Sequence, residues 1–550
     1  MDSSYDYIVV GAGSSGGVVT NRLVKSGKKV LLIEAGPKDK NPMIRMPGGT
    51  QEVIKNKKLN WYLDSEPQKH LNNRRLMQHR GKMLGGSSNL NGMVAIRGNK
   101  ACYNRWAALG NDGWDYHSVL KHFKSIENWC DTDNEYHSSK GEVPLTLTAG
   151  TNPLFDEFIR IGEEMGLERN PDFNGEKQEG VGRYHVNIGN GQRHGTSLAF
   201  LHPIKDAPNL TIMTDAEVKQ ILFEGTKACG VSVVKKGKTI KLNASKEIIL
   251  CAGAYKSPQL LMVSGIGDKV KLARHNIPVV ADVKGVGENL QDHISFLFNY
   301  YCNEPITLND TATSIFKQIK VAIDYFVFKK GLAATNSLEA GAFWHSTSGL
   351  SAPDTQLHFM PGLMYNMVDK LPKDHGVSVR ACLLTPKSSG TVDIRSNNGL
   401  DNPLIDFNFL DRQEDIDVLV RLFKFVQTWM HHPEWKGILG AEAKGADLAK
   451  DDEGIIAFIR EYIETDYHPV GTCKMGIDEM AVVDPRLNVK GVENLRVADA
   501  SIMPEIVRGN TNIPCMMIGD KAAEMILADA NAKASAQTQA LTEEVRVETA

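Results

Sequence analysis

Residues 5–35 read YDYIVVGAGSSGGVVTNRLVKSGKKVLLIEA. Tyr7–Val10 is a short apolar run, Gly11–Gly17 a glycine turn, Val18–Val24 a helix pattern and Val30–Ile33 a second apolar run. The order spells one βαβ unit, so a parallel sheet is expected around it. Gly11, Gly13 and Gly16 form a GxGxxG turn with Ser14 and Ser15 inside it. The three glycines give the tight turn, the close backbone approach to a pyrophosphate, and close helix–strand packing. The helix that follows offers free N–H groups and the positive end of its dipole to the phosphates. Glu34, followed by Ala35, closes the second strand where an acid receives the ribose hydroxyls of a dinucleotide. The motif alone does not separate NAD from FAD.

Working outward, the chain has 550 residues, 42% of them hydrophobic and 23% charged. This is ordinary globular usage, in a length that one hydrophobic core rarely serves, so two intimately packed domains are expected. The formal net charge of −3 is too near zero for a polyanionic partner. Short basic clusters such as Arg74–Arg75 and Lys235–Lys236 read as solvated faces, and no nucleic acid partner is expected. The eight cysteines include no CxxC pair, and residues such as Cys251 and Cys515 lie in apolar runs. Buried free thiols in a reducing compartment are expected rather than a disulfide framework. No Cys/His cluster has the spacing of a zinc site, so no metal is expected. The N-terminus lacks a basic segment followed by an apolar stretch and a cleavage site. No window approaches the ~18 consecutive apolar residues of a membrane span; Val321–Phe328 is short and interrupted by Asp324. The expected location is the cytoplasm, with peripheral contact at the inner membrane left open and no segment demanding it.

After the first unit, Pro37 to about Asn91 is irregular and rich in Asn, Pro, Gly and basic residues; so long a loop is usually functional. Strand-like runs return at Leu210–Thr214, Gly230–Lys235 and Glu247–Cys251. Helix patterns follow at Asp415–Met430, Glu453–Ile463 and about Cys515–Ala530. The tail Asn531–Ala550 is expected to be frayed or disordered.

Further segments separate the cofactors. Arg80–Asn104 reads RGKMLGGSSNLNGMVAIRGNKACYN and Gly253–Gly267 reads GAYKSPQLLMVSGIG. The C-terminal region carries Tyr467–Thr472 (YHPVGT), Val497–Pro504 (VADASIMP) and Gly509–Asn512 (GNTN). Together with the N-terminal turn these resemble the glucose–methanol–choline (GMC) oxidoreductases, in the family's order and from about Tyr5 to Leu527. Within the family the chain is most similar to bacterial acceptor-dependent dehydrogenases of alcohols, sorbose and choline. The resemblance implies an α/β fold, with a Rossmann-like FAD-binding domain interleaved with an α+β substrate-binding domain that carries an antiparallel sheet. Residues 1–155, 195–298 and 465–530 would form the first, and 156–194 and 299–464 the second, leaving 531–550 as the tail.

Gly81 and the second glycine turn, Leu84-Gly85-Gly86-Ser87-Ser88, suit backbone N–H groups brought against phosphate or flavin. By resemblance, Asn91-Gly92-Met93-Val94 lies along the flavin ring. Asp499-Ala500 then sits by the ribityl and pyrophosphate, Val218 touches the adenine, and Gly285–His293 supports the cofactor. Thr511 and Asn512 join the cofactor set, although Asn512 also reads as the cap of the following helix. Some members attach flavin through a histidine before the KxLGG run. Arg80 stands at that position here and His79 is one residue off register, so noncovalent FAD is expected.

Oxidising an alcohol takes a proton from oxygen and a hydride from carbon; the flavin receives the hydride, and the protein must supply a base. His468, after an aromatic residue and before Pro469, matches the family's base. Asn510 matches a partner position that is His or Asn in the family; an amide can donate a hydrogen bond to the substrate oxygen but cannot act as a base. Glu339, Trp61 and Tyr467 match the carboxylate and aromatics that receive trimethylammonium in choline-oxidising relatives. Uncharged-alcohol relatives keep them too. The expected activity is oxidation of a primary alcohol or polyol to its aldehyde or ketone, with electrons passed to a quinone or other acceptor. An oxygen-using oxidase, a choline-type dehydrogenase, a non-redox lyase and a catalytically inert binding module are the alternatives.

Overall fold

The computed structural model describes residues 5–148, 152–366, 371–445 and 449–548. The expected βαβ unit is present as Tyr5–Val10, Ser14–Lys25 and Val30–Ile33. The two strands are parallel, with Tyr7 opposite Val30 and Val10 opposite Ile33. They lie inside a seven-stranded sheet in the order Leu210–Met213, Val30–Ile33, Tyr5–Val10, Lys238–Leu250, with Leu495–Val497 on the far side of the last. Both faces of these central strands are covered, which is why they read as unbroken apolar runs. The strand Lys238–Leu250 serves two partners. Its end joins Tyr5–Val10 in parallel, and its beginning pairs antiparallel with Lys227–Lys235, which in turn pairs with Ala216–Glu224. Two-partner use explains why only Glu247–Cys251 reads as a strand in the sequence: the earlier half alternates Lys, Thr and Asn toward solvent.

The second seven-stranded sheet is antiparallel, in the order Leu439–Glu442, Ile294–Cys302, Gly376–Leu383, Thr355–Met360, Ala340–Trp344, Gly180–Arg183, with Glu464–Thr465 also on Ile294–Cys302. Alternation divides its faces. Leu357 and Phe359 pack with Phe158, Phe423, Trp429 and Phe458 from the helices Pro153–Glu164, Gln413–Met430 and Asp452–Tyr462. Their neighbour His358, and Arg380 opposite it, turn to the other face and line a cavity between the two sheets.

The irregular stretch before Asn91 holds only short elements, among them the helix Thr50–Lys55 and the paired strands Leu63–Asp64 and Met77–Gln78. All eight cysteines are free thiols. The tail departs from expectation: the last helix continues past residue 531 and runs Asn512–Glu548. Residues 531–548 are rich in Ala, Glu and Gln, whose helix propensity continues a helix already nucleated by packing. Thr549 and Ala550 lie outside the described residues.

Candidate active site

The cavity opens at the C-terminal ends of Tyr5–Val10 and Val30–Ile33, where an open α/β sheet binds its ligand. Gly11 has φ +98°, and a Cβ there would lie 2.4 Å from the carbonyl oxygen of Cys251. Gly16 is not part of the cavity wall; its Cβ would meet the Gly11 carbonyl oxygen at 2.0 Å, so it serves helix–strand packing. Gly13 does line the cavity, with open space where a side chain would stand. No side chain caps Ser14–Lys25, so its first N–H groups remain for an anion.

The Glu34 carboxylate accepts hydrogen bonds from Ala12 N (3.0 Å) and Gly36 N (2.9 Å). Burial pushes it up to about 7 despite those two donors. Gly86 packs directly on the first turn: a Cβ there would lie 2.7 Å from Gly13 Cα. Leu84, Gly85 and Ser88 shape the second turn from behind, with Ser88 Oγ donating to Gly85 O and accepting from Thr196 N, while Gly86 and Ser87 line the cavity. Asp499 lines it as well, but its carboxylate is engaged by Gly253 N, Ser257 and Ser501. Asn512 begins the last helix, and its Oδ1 accepts from Ser14 Oγ at 2.7 Å instead of capping. Its buried Nδ2 has no protein acceptor among the described residues, which fits an oxygen of a bound cofactor. Ser15, Ala35, Arg80, Asn91, Gly92, Met93, Val94, Val218, Ala500 and Thr511 complete the expected part of the lining. Open backbone at Gly13, uncapped N–H groups, the Glu34 acid and the orphan Asn512 donor together suit a dinucleotide such as FAD.

His468 and Asn510 meet at the far end of the cavity, Asn510 Nδ2 standing 3.3 Å from His468 Nε2. Hydrogen bonding fixes the imidazole's tautomer. Val507 O can only accept, so His293 Nε2, 3.0 Å away, donates to it. Burial pushes His293 down to about 4, leaving it neutral with Nδ1 as an acceptor. That nitrogen is 3.0 Å from His468 Nδ1, which must therefore carry the proton. The lone pair of His468 is left on Nε2, facing the cavity and Asn510. Asn510 is itself oriented, since its Oδ1 accepts from Gln356 Nε2 at 3.2 Å.

Burial, reinforced by His293 and opposed by the Asp466 carboxylate, pushes His468 down to about 3. Asp466 is held far below the usual carboxylate range, its burial outweighed by Arg380 and the neighbouring imidazoles, and it is ion-paired to Arg380. His293, Asp466 and His468 bring ligand atoms within 4.8 Å of one another, a spacing open to a metal, yet the hydrogen bonds just described already engage all three. The backbone is pinned on both sides of the imidazole: His468 N donates to Asp292 Oδ1 at 2.8 Å, and Tyr467 O accepts from Arg80 Nη2 at 2.6 Å. Tyr467 and Met93 both have φ of 61°, a left-handed conformation that non-glycine residues keep only where surroundings enforce it. Buried Arg193 enforces it for Met93 by gripping Asn91 O and Oδ1, both at 2.7 Å.

Trp61 and Tyr467 line the cavity, whereas Glu339 is not among its lining residues. The Glu339 carboxylate pairs with Arg183 Nη1 at 3.3 Å. The faces of the two aromatics are also taken by cations: Lys82 and Lys256 lie 4.1 and 4.8 Å from the Trp61 ring centre, and Arg380 5.8 Å from that of Tyr467. Sequence reasoning missed Glu217, Lys256, His358, Arg380 and Asp466 in the lining, and His293, Gln356 and Arg193 behind it. Lys256 and His293 had a signal, since they lie in the segments Gly253–Gly267 and Gly285–His293 that the family resemblance singled out.

Comparison with known proteins agrees with this geometry. Models of the GMC oxidoreductase family match residues 5–295 and 386–519. The chain is 41% identical over 527 residues to an alcohol dehydrogenase (acceptor) of Pseudomonas putida, covering 95% of this chain and 96% of the relative. It is 38% identical to an oxygen-dependent choline dehydrogenase of Brucella suis, covering 95% of each. Among solved structures, pyridoxine 4-oxidase from Mesorbium loti superposes with a TM-score of 0.86 at 28% identity, covering 95% of this chain and 99% of that one. A variant of Aspergillus oryzae formate oxidase superposes with a TM-score of 0.91 at 26% identity, covering 96% and 99%. From its strand-end glycine turn to its C-terminal histidine and asparagine, this chain belongs to the GMC oxidoreductase family.

Proposed function

We propose that the protein oxidises an uncharged alcohol to its carbonyl, with His468 as base, Asn510 as donor to the substrate oxygen, noncovalent FAD, and a quinone or similar acceptor. One observation carries the reading: the directed chain from Val507 O through His293 to His468 leaves a basic Nε2 in the cavity beside the Asn510 amide. FAD, when bound, supplies the hydride acceptor. A hydroxyl lodged between the two side chains gives its proton to His468 Nε2 and accepts from Asn510 Nδ2, which stabilises negative charge developing on oxygen. Gly11, Gly13, Ser14, Ser15 and Glu34 would hold the dinucleotide, with Asn91–Val94 and Thr511–Asn512 beside the flavin. The domain division given above is part of the same reading.

The cation-crowded aromatics and the Arg183-paired Glu339 support a neutral substrate over choline, because a quaternary ammonium would meet Lys82, Lys256 and Arg380 where it needs bare rings. Noncovalent attachment is supported by Arg80, whose guanidinium is spent on His79 O and Tyr467 O. His79, pushed by burial down to about 4, has its Nδ1 against the Asn60 amide. Anaerobic bleaching of the enzyme's flavin by a panel of alcohols, polyols, choline and aldehydes tests the activity. Bleaching by uncharged alcohols is the expected result; bleaching by choline alone overturns the substrate class, and no bleaching by any of them favours the lyase alternative. Peroxide yield with and without an added quinone separates dehydrogenase from oxidase, and flavin that stays with acid-precipitated protein would contradict the noncovalent assignment.

A further inference from the structure

The helix Ile315–Phe328 departs from the surface around it. Seven of the 17 large apolar side chains exposed by the described residues belong to it, with Phe316 80%, Val327 66% and Ile315 61% exposed. Of its residues only Tyr325 is buried. Ile315, Phe316, Ile319, Ile323, Phe326 and Val327 recur at helical spacing and form one outward stripe, about a third of the circumference wide. An exposed apolar patch of this kind marks an interaction site.

The polar residues indicate what covers it. Lys317 and Lys320 lie along one side of the stripe, and Lys329 and Lys330 follow the helix, against a single acid, Asp324, within it. Lys317 reaches Asp310 at 2.7 Å and Lys320 reaches Asp324 at 2.9 Å, but both pairs are solvent-facing and weakly held. Aromatic and branched apolar residues on one face with lysines beside them form the pattern of a helix lying in the plane of a bilayer surface. A second copy fits less well. Both ends of the helix are basic, so pairing two of them, in either sense, sets lysine against lysine. No helix among the described residues is long and apolar enough to cross a membrane.

The helix is also connected to the site. The chain leaves it at Gly331, and Leu332–Ala334 settles over Pro47–Gly49, with Ala333 Cα 3.0 Å from where a Gly48 Cβ would be. Asn336 Nδ2 then donates to Gly92 O at 2.8 Å, and Leu338 reaches the cavity wall. We propose that Ile315–Phe328 is an interfacial helix that docks the enzyme on an anionic lipid bilayer, bringing the cavity to the surface in which a lipid-soluble acceptor dissolves. Docking itself does not depend on which alcohol is oxidised, so its failure and that of the catalytic reading are distinguishable.

The test is cosedimentation of the FAD-loaded full-length chain with phosphatidylcholine vesicles, with and without phosphatidylglycerol. The wild type should pellet with the anionic vesicles and less so as salt rises. Phe316→Ser with Ile323→Ser should lower the vesicle partition coefficient by on the order of 10²-fold, since each lost side chain removes about 10-fold. Lys317→Gln with Lys320→Gln should weaken the preference for anionic lipid, leaving only what Lys329 and Lys330 contribute. These side chains are exposed, so flavin spectrum and thermal unfolding should not change. As a second readout, Ile319→Trp should blue-shift its fluorescence on adding vesicles. A wild type that stays in the supernatant, or a serine variant that pellets equally, overturns the proposal. So does a dimer that Phe316→Ser dissociates in a protein with no vesicle binding, which would give the stripe to a second copy.

Discussion

His468 has its proton on Nδ1 because His293 accepts it there, and His293 can accept because Val507 O holds its other nitrogen. Burial holds His468 at about 3, well below the ordinary ~6.5, so the proposed base is already unprotonated across the neutral range. The rate of anaerobic flavin reduction should therefore be flat above about pH 6.5. Its fall on acidification should come below the ordinary histidine value, since only there does Nε2 take up a proton. A rate that still climbs between pH 7 and about 9 would show that some other group ionises in the rate-determining step. His293 touches no reacting atom and acts as a positioning residue. His293→Ala should slow reduction by about 10- to 10²-fold and move the acid limb up toward ~6.5, as water reaches His468 and the neighbouring imidazole is lost. A purely structural role would lower flavin content or stability without moving that limb. Little of this network was legible in the sequence. His468 and Asn510 stood in recognisable motifs, but a tautomer is set by hydrogen bonds between segments far apart in the chain. Glu339 sat in a matching motif, yet its carboxylate is committed to Arg183, on the strand paired with the one that Glu339 precedes.

Two glycine turns make the cofactor end of the cavity, and the second rests on the first. Gly86 has φ +52° and no room for a Cβ beside Gly13, so Gly86→Ala should push the turns apart and weaken FAD binding. Glu34→Ala should weaken it too, by about 1.5–3 kcal/mol, the scale of a lost hydrogen bond to a charged group. Titrating apoprotein with FAD checks both; unchanged flavin affinity in Glu34→Ala would contradict the dinucleotide assignment. The buried strands were readable because both their faces are apolar. The first half of Lys238–Leu250 was hidden by polar alternation, and the exposed helix Ile315–Phe328 by an apolar run too short for a span and too interrupted for a core.

At the scale of the whole molecule, the first and last described segments meet at the cavity. Ser14 bonds Asn512, Ser15 Oγ donates to Cys515 O at 2.7 Å, and a Cβ on Gly519 would lie 2.5 Å from Ser15 O. A ligand held by both ends ties them together, so FAD should stabilise the entire fold. With free FAD at 100 times its dissociation constant the gain is about 2.7 kcal/mol. Thermal unfolding of apoprotein and reconstituted protein should differ accordingly; equal midpoints would mean that FAD does not bridge these segments.

The proposed mechanism makes His468 the only base in the site. Its most direct test is stopped-flow anaerobic flavin reduction by a saturating alcohol in flavin-loaded wild type, His468→Ala and Asn510→Ala. His468→Ala should lose at least ~10²-fold, the scale of general-base catalysis, and Asn510→Ala a smaller factor, on the order of 10- to 10²-fold. Near wild-type flavin reduction in His468→Ala that still holds its FAD would contradict it.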